Sequence, residues 1–299
     1  MSGFLDERAG LAGKAAIILG GGGGLGRAIA DDLGAAGVGL ALADRDEALL
    51  ADAVAHAESI GASVVSTVGD VRDDAVIDRV FALAEEAHGR LDVLVNVVGG
   101  TFRQPFAESN RRGWDALIRT NFTWLLRPTQ MAIARMRAGG RGGSIINLTS
   151  IEAHRAAPNF AVYAGMKAGV ENWGRSLAVE LAPEGIRVNT IAADMVPTEG
   201  IVAAAEGRGD ASPWGEGVLD ERRTTIAIPM GRRGRYEDVG NCALFLASDL
   251  STYVTGTSMH PDGGAFASSG WFNWPGAGFT NVPPLSVISA IDGPDPTHE

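Results

Sequence analysis

Tyr163 and Lys167 stand four residues apart in Tyr163-Ala164-Gly165-Met166-Lys167, and Ser150 precedes the pair by thirteen positions. On a helix, positions i and i+4 share a face, so this spacing puts an ammonium beside a phenol. A free tyrosine titrates near ~10, too high for acid–base work at neutrality, and a fixed cation beside it favours the phenolate. The same spacing recurs by chance on amphipathic helices, so the pair gains meaning only from its surroundings. Ser150 ends the apolar, β-branched run Ser144-Ile145-Ile146-Asn147-Leu148-Thr149, which predicts a buried strand. Its hydroxyl then stands at the carboxyl edge of a sheet, where open α/β folds hold their ligands.

Those side chains need a scaffold, and the chain supplies one from its start. The buried-strand run Ala15-Ala16-Ile17-Ile18-Leu19 enters five consecutive glycines, Gly20 to Gly24, followed by Leu25, Gly26 and a helical stretch from Arg27 to Leu33. Strand, glycine turn and helix follow in the order a pyrophosphate site requires: glycines permit positive φ and close backbone approach, and the helix start offers free N–H groups and a positive dipole end. A flexible glycine linker would lack both flanking elements. The register is open, since 21, 23 and 26 fit G-x-G-x-x-G while 20, 24 and 26 fit G-x-x-x-G-x-G.

A second strand, Val38 to Ala43, ends at Asp44, eighteen residues past Gly26. A carboxylate there accepts hydrogen bonds from both ribose hydroxyls and repels a 2′-phosphate, which favours NAD over NADP. Arg45 follows directly and is able to accommodate a phosphate, so NADP is the less favoured alternative. Helix (46 to 60), strand (63 to 68), Asp70-Val71, helix (73 to 88) and strand (91 to 96) continue the alternation, which predicts a parallel sheet with right-handed crossovers. Asp70 is read either as a contact to the adenine amino group or as the cap of the next helix. A helix over 108 to 138 carries Asn121 near its middle, where asparagine is a mediocre helix residue, so a buried amide there needs a purpose and a surface one does not. The Ser150 strand, the Tyr163 helix (about 159 to 182), a strand from Arg187 to Ile191, a helix from Tyr236 to Ser248 and a last strand from Val254 to His260 complete the pattern.

The segment 196 to 230, rich in Gly, Pro, Ala and charge, is expected to be a substrate-binding excursion, because long irregular insertions in α/β domains serve as lids more often than as filler. From Ala265 a tail carries Trp271, Phe272, Trp274 and Phe279 among glycines and prolines that argue against a helix. We expect 1–264 to form one catalytic domain and 265–299 to be a C-terminal tail packing against a neighbouring subunit, with folding back on its own subunit as the alternative.

The 299 residues, 45% hydrophobic, suffice for one large α/β core. A net charge of −11 argues against nucleic acid or an anionic membrane as partner. One cysteine, Cys242, excludes an internal disulfide, and the five histidines show no metal-ligand spacing. The first residues form no apolar signal core, and no stretch reaches the roughly 18 apolar residues of a membrane span. A cytoplasmic location is the resulting expectation.

Taken together, the motifs resemble the short-chain dehydrogenase/reductase family from about Leu11 to Gly264. The glycine turn is similar to T-G-x-x-x-G-x-G, with Gly20, Gly24 and Gly26 on the glycines and Leu19 in place of threonine. Asn96-Val97-Val98-Gly99 resembles N-N-A-G, keeping Asn96 and Gly99. Ser150, Tyr163 and Lys167 match the family's catalytic serine and Y-x-x-x-K, and Asn121 its catalytic asparagine. Ala193-Asp194-Met195-Val196-Pro197-Thr198 stands where P-G-x-V-x-T is expected, without the Pro-Gly. The resemblance implies a Rossmann-type doubly wound sheet of about seven strands, a tetramer or dimer, and a cofactor held by Gly20, Gly24, Leu25, Gly26, Asp44, Asp70, Val71, Asn96, Gly99, Tyr163, Lys167, Val196 and Thr198. It also implies roles: Tyr163 exchanges the hydroxyl proton, Lys167 lowers its pKa and binds the nicotinamide ribose, Ser150 donates to the substrate oxygen, and Asn121 holds a water behind Lys167.

An NAD-dependent dehydrogenase or reductase of a small to medium, largely apolar secondary alcohol or ketone is the expected function. A 3-oxoacyl-thioester reductase using NADPH is the nearest alternative, and a dinucleotide-binding regulator without turnover is a third, prompted by Leu19, Val97 and the missing Pro-Gly. Two further expectations concern neighbours of these motifs. Leu19 and Val97, apolar where the family is polar, are expected to touch and to be coupled; Glu152 and His154 are expected to reach the substrate pocket.

Overall fold

In a computed structural model, which describes residues 3–197, 221–285 and 287, the alternation resolves into a seven-stranded parallel sheet. After a short helix α1 (Phe4–Ala9), the chain runs through β1 (Ala15–Leu19), α2 (Gly24–Ala35), β2 (Gly39–Asp44), α3 (Glu47–Ser59), β3 (Val64–Val68), α4 (Asp74–His88) and β4 (Val93–Asn96). It continues with α5 (Arg111–Ile118), α6 (Trp124–Gly139), β5 (Gly143–Ser150), α7 (Ala161–Leu181) and β6 (Ile186–Ala193). After the undescribed segment come α8 (Glu221–Ala227), α9 (Tyr236–Ala247), β7 (Ser258–Met259), α10 (Ala265–Ser268) and the strands β8 (Phe272–Trp274) and β9 (Gly278–Thr280). The sheet order is β3-β2-β1-β4-β5-β6-β7. The order reverses between β1 and β4, the switch point where such sheets open a crevice at their carboxyl ends.

Both faces of the sheet are covered, which is why its strands β1, β2 and β4 are mainly apolar rather than alternating. Ala16, Ile18, Leu40 and Leu42 face one core with α2, α3 and α9, while Ile17, Leu19, Ala41 and Ala43 face the other with α4, α6 and α7. This two-sided burial overturns the expected Leu19–Val97 contact. Leu19 belongs to the second core and Val97 packs on the first, so their side chains point to opposite faces, and a backbone bond alone joins them, Val97 N–H donating to the Leu19 carbonyl at 3.0 Å. The residue that Val97 crowds is Gly20, where an added Cβ would lie 3.3 Å from the Val97 Cβ.

Helix starts follow capping chemistry: Asp46, Asp73 and Asn110 accept backbone N–H bonds from Leu49, Ala75 and Gly113. Asp73, and not Asp70, therefore caps α4. The helix expected over 108 to 138 is interrupted. A 3₁₀ turn at Phe106–Glu108 precedes α5, and a π-helical turn over Arg119–Thr123 separates α5 from α6. Asn121 sits in that turn, its Nδ2 donating to the Leu117 carbonyl at 3.0 Å, so a side chain competes for the acceptor of a regular helical bond.

The last strand of the sheet is only Ser258–Met259, shorter than the expected 254 to 260, because Thr255 and Asn189 side chains replace ladder bonds there. The tail does contain one helical turn, α10, and then a hairpin in which Phe272 pairs with Thr280 and Trp274 with Gly278. Its inner residues fold onto their own subunit, with the Phe266 ring tilted against His154 and edge-on to His260. Trp271 and Phe279 stay exposed. The end of the tail, 288 to 299, lies outside the described residues.

Candidate active site

A cleft of about 490 Å³ runs along the carboxyl ends of β1, β2, β4 and β5. The glycine turn forms its floor, and its register is now defined. Gly20 and Gly24 adopt positive φ, +97° and +52°, and a Cβ on Gly26 would lie 1.8 Å from the Gly20 carbonyl oxygen. Positions 20, 24 and 26 are thus the ones that tolerate no side chain, whereas 21, 22 and 23 keep negative φ and serve the turn less strictly. α2 begins at Gly24, so its unpaired N–H groups open onto the cleft.

Asp44 ends β2 on the cleft wall. Its Oδ2 accepts from Gly22 N–H at 3.0 Å and its Oδ1 from Asp46 N–H at 3.1 Å. Each oxygen keeps acceptor capacity, because a carboxylate oxygen carries two lone-pair sites. Asp70 and Val71 line the same cleft, with Arg72 gripping the Asp70 carboxylate through Nε at 2.9 Å and reaching the Thr120 hydroxyl at 3.0 Å. This guanidinium holds the Asp70 carboxyl below its ordinary range. Asp70 and Thr120 are thereby joined by one side chain, Arg72, two positions after Asp70.

Tyr163 and Lys167, one turn apart on α7, close the other end of the cleft. The Lys167 Nζ donates to the Leu148 carbonyl at 3.0 Å and lies 5.8 Å from the centre of the Tyr163 ring. Gly99 makes room for it, since a Cβ there would be 2.9 Å from Nζ and 3.1 Å from the Asn121 Oδ1. Asn121 is buried and bolts the following peptide, donating to the Gly100 carbonyl at 2.8 Å and accepting from its N–H at 3.1 Å. Ser150 ends β5, hydrogen-bonded to the Tyr163 phenol and accepting from Glu152 N–H.

The electrostatics correct one expectation. Burial drives Tyr163 up to about 12; the Ser150 hydrogen bond pulls it down, and the charges of Glu152 and Asp194 push it further up. Lys167 is not among the groups that set this value. Its own ammonium is drawn down to about 8 by burial, opposed by the carboxylate of Glu171 one turn further along α7. In a desolvated site both members of the pair shift toward their neutral forms.

A second cavity, about 460 Å³, opens beside the carboxyl ends of β5 and β6. His154, Arg155 and Asp194 are polar residues of its lining, and Met195, Ile228 and Phe266 are among the apolar ones. Arg155 is held between two acids, its Nη2 2.9 Å from Glu152 Oε1 and 3.5 Å from Asp194 Oδ2. Burial lifts Asp194 to about 6, with Arg155 opposing and Glu152 adding to the rise. His154 Nε2 is 2.9 Å from the Oε2 of buried Glu171, a charge contact off the N–H axis rather than an aligned bond. Among the described residues no His/Cys/Asp/Glu group is arranged to hold a metal ion, and no helix is long and apolar enough to cross a membrane.

Of the residues singled out in the sequence, Gly20, Gly24, Leu25, Asp44, Asp70, Val71, Gly99, Tyr163 and Lys167 meet on the first cleft. Gly26 and Asn121 stand behind it as supports. Asn96 does not reach it: its amide donates to Asn147 Oδ1 at 2.8 Å, tying β4 to the facing residue of β5. Val196 is buried in the first core against the backbone of Gly234, and Thr198 lies outside the described residues. His154 lines the second cavity, while Glu152 lies behind Arg155 instead of in the wall. Arg155, Asp194 and Glu171 were missed. Glu171 was legible as the next i+4 position after Lys167, and Asp194 as the departure from Pro-Gly; Arg155 gave no signal in the sequence.

A doubly wound parallel sheet whose switch-point crevice joins a glycine turn to a tyrosine and a lysine, with a serine beside the tyrosine, is the build of a dinucleotide-binding oxidoreductase. The relatives agree. Residues 21–265 match the family model described as "Enoyl-(Acyl carrier protein) reductase". A sorbitol dehydrogenase of Cereibacter sphaeroides is 35% identical over 260 residues, covering 86% of this chain and 99% of that protein. A 3-oxoacyl-(acyl-carrier-protein) reductase of Thermotoga maritima is 34% identical, covering 85% and 98%. The solved structure of a 7α-hydroxysteroid dehydrogenase complexed with NADH and 7-oxo glycochenodeoxycholic acid superposes with a TM-score of 0.79 at 26% identity, covering 88% of this chain and 98% of that one. The chain belongs to the short-chain dehydrogenase/reductase family, whose members act on small molecules with a nicotinamide dinucleotide.

Proposed function

We propose that this protein transfers a hydride between NAD(H) and a secondary alcohol or ketone, with Tyr163 as the proton carrier. The observation that carries the reading is that Tyr163 and Lys167 share one cleft with the glycine turn and Asp44. The cleft suits a dinucleotide, because the turn excludes any Cβ at Gly26 and Gly99 leaves just the space that Lys167 fills. Gly20, Gly24, Leu25 and the α2 start would hold the pyrophosphate, Asp44 the adenosine ribose, Asp70 and Val71 the adenine end, and Tyr163 and Lys167 the nicotinamide ribose. The nicotinamide supplies the hydride acceptor or donor.

The protein's own residues handle the proton. Ser150 orients the substrate oxygen by donating to it, and Tyr163 passes its hydroxyl proton to that oxygen or takes one back. Burial keeps the phenol protonated, up to about 12, so the folded site favours the proton-giving form, the one that carbonyl reduction uses. Asn121 holds Gly100 and, with it, the loop against Lys167. We further propose a homotetramer or homodimer, a cytoplasmic setting, and no role for metal, nucleic acid or membrane.

The second reading is a 3-oxoacyl-thioester reductase using NADPH. Arg45 on the cleft wall and the Thermotoga maritima relative favour it; the carboxylate of Asp44 beside Arg45 opposes it. Following cofactor absorbance with secondary alcohols, ketones and 3-oxoacyl thioesters, each with both nicotinamide cofactors, separates the two. Turnover confined to thioesters with NADPH would replace the first reading by the second, and cofactor binding without any turnover would favour a regulator.

A further inference from the structure

The second cavity has a definite chemical character, and resting on the dehydrogenase reading above, its walls narrow the substrate class. It adjoins the reacting groups: Asp194 lines it, and the charge of Asp194 acts on the Tyr163 phenol. It is also where backbone strain collects. Only Asn159, Met195 and Ser269 among the described non-glycine residues have positive φ, and Met195 and Ser269, at +47° and +46°, both stand in this wall. Strained conformations of this kind persist where surrounding structure over-determines them, most often around bound ligands.

Part of the lining is hydrocarbon, from Met195, Ile228, Phe266 and Phe272, which suits a carbocyclic or alkyl body. The rest of the lining is polar in both senses. Arg155 spends Nη2 on Glu152 and Asp194, while its Nη1 makes no hydrogen bond among the described residues. His154 has Nε2 beside Glu171, whose Oε1 takes the Thr149 hydroxyl at 2.8 Å, and its Nδ1 has no hydrogen bond among the described residues. Asp194 supplies acceptor oxygens.

Charge decides among ligand classes. Glu152, Asp194 and Asp262 surround Arg155, the one Arg or Lys among the described lining residues, and all three act on it or on one another. The Asp262 carboxylate is fixed by backbone N–H bonds from Gly264 at 2.8 Å and Phe266 at 2.9 Å. An anionic substrate end would meet this acidic excess, and an ammonium would have to sit against the guanidinium. A neutral hydroxyl avoids both, because it donates to a carboxylate and accepts from Arg155 in one geometry. We propose that this cavity holds the substrate's body and that His154, Arg155 and Asp194 select a neutral ketone or alcohol bearing a second hydroxyl group remote from the reacting carbon. The substrate is then more polar than a simple apolar ketone.

Four probes of one shape test this: cyclohexanone, 4-hydroxycyclohexanone, 4-oxocyclohexanecarboxylate and 4-aminocyclohexanone. Each is titrated into the Tyr163→Phe protein with NADH, reading NADH fluorescence, and each is offered to the wild type for reduction. The hydroxyketone should bind and turn over at least about tenfold better than cyclohexanone, since a site built to pair with a hydroxyl leaves polar groups unpaired without it. In Arg155→Met and His154→Phe the ratio between those two ketones should fall toward one. Equal treatment of the two by the wild type, or a preference for the carboxylate or the amine, overturns the proposal. Selective binding without reduction would sustain it and remove the dehydrogenase reading; reduction without selectivity would do the reverse; neither binding nor reduction would remove both.

Discussion

Lys167 and Tyr163 share one face of α7, yet the ammonium donates to the Leu148 carbonyl at 3.0 Å and stands 5.8 Å from the ring centre of the tyrosine. The two act through position more than through direct contact. Lys167 is anchored to β5, so the strand that presents Ser150 and the helix that presents Tyr163 are held in fixed relation. Replacing Tyr163 by Phe should cut turnover to below about a tenth of wild type while NADH binds within a few-fold, because ring packing survives and the transferable proton does not. Steady-state rates and fluorescence titration measure the two, and activity above that level would remove Tyr163 from its role.

Asp44 sets the cofactor preference. The Asp44→Ser protein should lose about tenfold of its NAD over NADP selectivity, since a negative charge near the 2′-phosphate and two ribose acceptors vanish together. It should also bind both cofactors more weakly, because the Gly22 N–H loses its carboxylate partner. Ratios of kcat/KM for the two cofactors give the answer; a wild type that uses NADP as well as NAD would contradict the assignment.

Asp194 makes stability depend on pH in a definite sense. Its folded value of about 6 lies above the ordinary 3.8, so between these values the folded protein binds more protons than the unfolded one. Stability contributed by this group is present below pH 3.8 and is lost as pH rises toward 6. The Asp194→Asn protein should therefore gain on wild type across that window, by on the order of 2 kcal/mol. Urea unfolding at pH 4 and pH 6.5 supplies the comparison, and parallel curves for the two proteins would refute the raised value.

Gly26 is a packing requirement. An alanine there would drive its Cβ to 1.8 Å from the Gly20 oxygen, and relief requires moving the β1–α2 turn. Gly26→Ala should cost about 2 to 4 kcal/mol and abolish cofactor binding, whereas Gly22→Ala, which would meet Asp44 at 3.0 Å, should do less to stability. Thermal unfolding of the two variants side by side tests the order.

The tail closes the second cavity with Phe266 and Phe272 while leaving Trp271 and Phe279 outward. Truncation after Gly264 should raise KM about tenfold by removing that apolar wall, with cofactor affinity little changed. Sedimentation of the same protein asks whether the outward aromatics join subunits; an unaltered KM would show that the tail is no part of the substrate cavity.

The alternation of apolar strand runs with helices, the glycine turn, and the spacing of Ser150, Tyr163 and Lys167 were legible without coordinates, because each is written in neighbouring residues: strand burial in local runs, the phosphate turn in consecutive glycines, the shared helix face in an i, i+4 step. What the chain does not write locally is which distant groups meet. Choosing 20 and 24 over 21 and 23 on physical grounds, apart from the resemblance, required the positive φ that only the folded turn shows at Gly20 and Gly24. Moving Asn96 from cleft to strand bolt required Asn147 opposite it, and separating Leu19 from Val97 required the two faces of the sheet. The protonation of Tyr163 was misjudged for the same reason. One lysine four residues away is visible in the sequence, but desolvation and the charges of Glu152 and Asp194 exist only once three separate segments close around the phenol.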